Sequence, residues 1–186
     1  MSPSFGGWLL RDLAIVLFIV TAIWLASLAP ASIASLLVNL LSFVGAYAVC
    51  YIAHEWGHWI GGQLAGADQP FLAYNTPLMT AFDISAHTPI QFVAMSWGGV
   101  AGYFSAAVAM LTLYALGWAA GGLAVGALAF VVQSLAVDVP QVLKVQSGAD
   151  PARTNREGAA PSVILARTWQ TWIPLAGAII AWHVLR

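Results

Sequence analysis

His54, Glu55 and His58 stand in the stretch AYAVCYIAHEWGHWIGGQLAG, where two imidazoles and a carboxylate interrupt an otherwise apolar run. In hydrocarbon each such group is costly unless it is paired, metal-bound or wetted. The three form the pattern H-E-x-x-H. On a helix, residues four apart share a face, so both imidazoles reach one ion. Glu55 lies one position round, beside the ion, where a carboxylate can take a proton from a metal-bound water. Zinc brings the pKa of such a water toward ~7, which makes hydroxide available at neutral pH. The competing reading is a set of polar residues snorkelling at a membrane interface. Only four histidines occur in the chain, and two of them fall at ligand spacing around a glutamate within an apolar run, which favours the metal site.

A catalytic zinc takes three protein ligands and keeps one position for water, so the sequence must supply a third arm. Cys50 lies on the same helical face, but about 12 Å of axial rise separates it from His58, too far for one ion, and it reads as a packing residue. Asp138 is the leading candidate, because a carboxylate inside an apolar span needs a partner. Its alternative role is an interface residue paired with Lys144, about 9 Å further along the helix. Asp83 and His87, in a connecting loop on the same side, are the runners-up. His183, beside Trp182 near the far end of the last apolar stretch, cannot reach and reads as an interface residue.

These residues must be positioned by membrane spans. The chain has 186 residues, 61% of them hydrophobic and 7% charged, with a mean hydropathy of +0.84. That balance predicts an all-α integral membrane protein forming one domain over 1–186. A net charge of −1 gives nucleic-acid binding no electrostatic support. A single cysteine excludes an intramolecular disulfide and a multi-cysteine metal site. About five stretches reach the roughly 20 residues needed to span a bilayer: Leu9–Leu28, Ile33–Leu64, Pro89–Leu116, Trp118–Leu143 and Ser162–Leu185. The second is over-long and must tilt or project. Pro30 marks a turn between the first two, and LGWAAGG a turn between the third and fourth. The connection AGADQPFLAYNTPLMTAFDISAHTP reads as irregular or short-strand structure, and KVQSGADPARTNREGAAP as a solvated polar loop.

Threading five spans puts Arg11, Lys144, Arg153, Arg156 and Arg167 on one side and Arg186 on the other. The positive-inside rule makes the first side cytoplasmic, with the N-terminus inside. The sequence LASLAPASIA also resembles a signal-peptide cleavage region, although Arg11 is offset by Asp12 just where a signal peptide carries positive charge. His54, His58 and Asp138 all fall in the cytoplasmic half.

HEWGH in one span, a returning span, and then an Asp-bearing span parallel to the first resemble the site-2 protease family of zinc-dependent intramembrane metalloproteases. The likeness covers about 33–143, leaving the spans at 9–28 and 162–185 outside a three-helix core. It implies one Zn2+ per chain held by His54, His58 and Asp138, with Glu55 as catalytic base. It also implies a strand-forming segment that engages substrate, here FLAYNTPLMTAFDISAH, and it points to Asn75 and Gly98 as substrate-binding positions. The implied partners are the lipid bilayer and a membrane protein with a transmembrane helix. The implied location is the bacterial cytoplasmic membrane, with the active site on its cytoplasmic side. Two contexts differ from the family pattern: Asp138 stands in VDVP rather than before glycine, and SWGGVAGYF lacks the asparagine of the middle core span.

Two other readings suit the same residues. A metal-binding relative without catalytic activity would bind or escort a membrane partner. A small metal transporter or sensor would use the same ligands, although one site and no His-rich loop count against transport. Iron or cobalt would suit these ligands as well as zinc, and a di-iron oxidase would need more histidines than four.

Overall fold

The computed structural model describes residues 3–76, 78–158 and 166. Its helices are α1 (Phe5–Ser27), α2 (Ala31–Leu64), α3 (Pro89–Ala115), α4 (Gly121–Gln146) and α5 (Pro151–Gly158). The first four are long and apolar enough to cross a membrane. The expected fifth span, Ser162–Leu185, lies outside the described residues apart from residue 166, as does His183.

The starts of α1, α3 and α4 lie where a side chain satisfies one of the first amides, which have no partner within the helix. The Ser4 hydroxyl accepts the Gly7 N–H at 3.2 Å to open α1. Thr88 and Gln91 form a reciprocal capping box before α3, with Pro89 at its first position. The residue before α4, Ala120, has no side chain that can cap. Asn39 of α2 serves instead, its carbonyl oxygen accepting the Gly122 N–H at 2.8 Å.

α2 is the centre of the bundle. At 34 residues it rises about 51 Å and overruns a hydrocarbon layer of ~30 Å. α3 and α4 pack against α2 and each other, around Ala46, Cys50, Tyr103, Ala127 and Phe130. Glycines set the α2–α3 distance. A Cβ on Gly57 would land on the carbonyl oxygen of Gly98, and a Cβ on Gly98 would land on that of Gly57. The spacing of Gly57 with Gly61 and of Gly98 with Gly102 is therefore a close-approach seam. Outward faces are apolar: Leu10 is 70% exposed, Leu17 68% and Phe18 73%. A surface of that kind is suited to lipid rather than to water.

Two connections refine the sequence expectations. Between α2 and α3 the backbone folds back on itself through one antiparallel bridge, Phe71 to Thr80, with the Leu72 N–H on the Met79 carbonyl at 2.9 Å. No longer strand forms there among the described residues. The polar segment expected to be a solvated loop instead contains α5. Asp150 caps it, accepting the Arg153 N–H at 2.7 Å, and Arg153 pairs with Glu157 four residues on at 2.8 Å. Such a cap and an i,i+4 ion pair favour a helix even without apolar periodicity.

Candidate metal centre

His54 and His58 lie one turn apart on α2, and their Nε2 atoms face each other at 2.9 Å. The other nitrogen of His58 settles its tautomer. Nδ1 lies 2.9 Å from the Met95 carbonyl, which can only accept, so Nδ1 carries the proton and Nε2 presents its lone pair. Room for that ring comes from α3, since a Cβ on Gly99 would collide with the His58 imidazole. His54 stacks at an angle into an aromatic wall, its ring centroid 5.7 Å from Tyr103 and 6.0 Å from Phe130.

Ligand atoms of His54, Glu55 and His58 all lie within 4.8 Å of one another. Glu55 is 8% exposed, and its Oε2 accepts the Met79 N–H at 3.0 Å. Met79 itself is fully buried, so the 71–80 fold-back lies directly over the glutamate. Asp138 comes from α4 and points into the same region, its Oδ2 3.9 Å from Nδ1 of His54. That approach is to the ring nitrogen opposite the one facing His58. His54 Nδ1, Asp138 Oδ2 and the Tyr103 hydroxyl are all buried without a hydrogen-bond partner among the described residues. Buried polar atoms in such a state are rare in folded proteins, and these three come from three different helices.

The residues fit a divalent metal. Two imidazole nitrogens 2.9 Å apart are close enough to share an ion bonded at about 2.0–2.1 Å to each; Glu55 belongs to the same group, while Asp138 faces the other ring nitrogen of His54.

The remaining sequence candidates lie elsewhere. Cys50 is fully buried in the apolar core, the packing role expected of it. His87 uses both ring nitrogens in the loop: Nδ1 donates to the Asp83 carbonyl at 2.6 Å, and Nε2 accepts the Asp68 N–H at 3.0 Å. The Asp83 carboxylate closes a turn on the hydroxyl and N–H of Ser85, and these bonds hold it below the usual carboxylate range. Neither runner-up is placed to ligate. Gly98 serves the α2–α3 seam, and Asn75 sits exposed in the fold-back, whose contact with the centre is made by Met79.

Three contributors were not foreseen. Tyr103 and Met79 carry no local sequence signal, because their place depends on elements far apart in the chain. Asn155 of α5 lines the cleft beside His58 and Asp138. Set against protein-family models, curated proteins and solved structures, the chain matches none.

Proposed function

We propose that this chain is an intramembrane zinc metalloprotease that hydrolyses a peptide bond in or near a transmembrane segment of a membrane-protein substrate. The observation that carries the reading is the pair of imidazoles facing each other through Nε2 on a helix long enough to span a bilayer, with Glu55 and Asp138 beside them. Likeness to the site-2 protease family rests on the sequence pattern alone, and the metal centre is argued from this chain's own side chains.

His54 and His58 would hold the ion, with Asp138 as the third arm or, facing Nδ1 of His54, as the carboxylate that orients that ring. When bound, zinc would lower the pKa of a coordinated water and polarise the substrate carbonyl. Glu55 takes the proton from the attacking water and returns it to the leaving amine. Its burial beside apolar side chains keeps competing water away, and the Met79 N–H fixes one of its two oxygens. A substrate helix must unwind before its amide is accessible, because helical amides are shielded by their own hydrogen bonds. Water reaches the centre from the end of the bundle that carries the basic residues, the cytoplasmic side by the positive-inside rule.

Glu55→Gln is the test, with a tagged single-span reporter library as substrate. The variant is expected to keep zinc and fold while losing cleavage. A variant that cuts at the wild-type rate removes Glu55 from the mechanism. One observation favours a second reading, in which the chain binds metal and escorts a partner without cleaving it: Glu55 is close enough to both histidines to act as a ligand itself. In that case wild type cleaves no reporter, and Glu55→Gln loses zinc.

A further inference from the structure

A cleft lined by His58 and Asp138 reaches α5. It has a volume of about 130 Å³, and its polar lining includes His58, Ser96, Asp138, Gln141 and Asn155. α5 packs against α4 beside it. Its buried residues, Thr154 and Gly158, are four apart and turn toward α4. A Cβ on Gly158 would land on the Gln141 amide, so the two helices touch one turn beyond Asp138. Arg153 and Glu157 point the other way, with side chains 76% and 51% exposed. Asn155 follows Thr154 on the inward side and contributes the one α5 side chain that lines the cleft.

A side-chain amide here has a definite chemistry. It offers two N–H donors and a carbonyl acceptor on one plane, the set that pairs with a backbone peptide unit. The Gln141 amide nitrogen already donates to the Val137 carbonyl at 3.1 Å within its own helix. The cleft is too small for a helix, which is ~10–12 Å across with its side chains. It does have room for a peptide unit and a short side chain. A chain entering it must therefore be extended, with amides that need new partners.

We infer that Asn155 binds the backbone of an extended substrate segment beside the metal ligands, which makes α5 part of the substrate site. The inference rests on the protease reading above and adds a residue to it.

Two probes separate the two ideas, using the full chain in detergent with one zinc per chain. Acetohydroxamate reports metal chelation alone. A hydroxamate bearing a leucyl-alanine amide tail reports chelation plus backbone binding. The wild type is expected to bind the tailed probe more tightly. Asn155→Ala and Asn155→Asp, the second preserving size while removing the N–H pair, are expected to weaken the tailed probe about tenfold, the equivalent of one lost hydrogen bond. Binding of acetohydroxamate is expected to stay unchanged in both. If the tail adds nothing in the wild type, or the variants hold it equally well, the role of Asn155 is overturned and the metal centre stands. Equal loss of both probes in the variants also overturns it, because α5 would then be acting on the centre as a whole. Should the wild type bind neither probe, the metal-centre reading fails and this inference goes with it.

Discussion

A histidine ligand is prepared by whatever holds its second nitrogen. His58 is prepared by the Met95 carbonyl, an acceptor that leaves no choice of tautomer. On His54 the second nitrogen makes no hydrogen bond among the described residues, and the Asp138 carboxylate faces it at 3.9 Å. Asp138 would serve the centre by reaching the ion or by orienting His54 toward it, and the negative charge strengthens either role. Asp138→Asn keeps the size and removes the charge; Asp138→Ala removes both. Zinc affinity is expected to fall at least ~10–100-fold in both variants, the loss seen when even an orienting partner of a metal-bound histidine is removed. The helical circular dichroism is expected to stay unchanged. Metal content measured by elemental analysis after dialysis against graded chelator decides the matter. Wild-type affinity in both variants would take Asp138 out of the centre.

The elements explain why Glu55 is covered. The first half of α1 clasps the 71–80 fold-back: Trp8 donates to the Leu72 carbonyl at 3.0 Å, Arg11 to the Thr76 carbonyl at 3.3 Å, and the Ser4 N–H to the Tyr74 hydroxyl at 3.0 Å. Asp12, 5% exposed, ties the clasp to α2 by accepting from Arg11 at 2.6 Å and from the Trp56 indole at 2.7 Å. Asp12→Ala takes this acceptor from both donors, leaving the half-buried Trp56 indole without it, at about 1 kcal/mol. The expected outcome is a lower melting temperature in detergent and faster proteolysis within 65–88, with cleavage elsewhere unchanged. An unaltered digestion pattern would show that the fold-back holds itself in place.

How much of this was legible in the sequence follows from the range of each interaction. The four helices announce themselves as apolar runs, and the His54–His58 pair as a four-residue spacing, because both are properties of a single helix. Asp138 stood out through the scarcity of carboxylates in such runs. α5 hid behind its charge, although Asp150 followed by Pro151 is a cap-and-start signal. The Met79 contact, the Trp56–Asp12 bond and the placement of Asn155 join segments far apart in the chain, and no local pattern encodes them.

At the scale of the whole molecule, helix pairing decides which ends lie together. Phe5 packs on Trp59, Gln91 reaches the Ala65 carbonyl, and α5 closes on Gln141, so the start of α1, the end of α2, the start of α3 and the end of α4 share one end. Asn39 and Gly122 meet at the other. Every basic residue among the described ones, Arg11, Lys144, Arg153 and Arg156, belongs to the first end or to α5 beside it. The candidate metal centre and its polar cleft lie there too, with His58 six residues, or about 9 Å, before the end of α2. On the proposed reading the positive-inside rule would put that end in the cytoplasm, so a substrate would be cut within reach of cytoplasmic water. Single cysteines test this cleanly, because the native Cys50 is fully buried and hidden from reagent. Ser147 is exposed just after α4, and Trp118 is exposed in the turn before it. In intact cells a membrane-impermeant maleimide is expected to label Trp118→Cys directly and Ser147→Cys only after permeabilisation. The reverse pattern would turn the molecule over, moving the cleft and its water supply to the outer face.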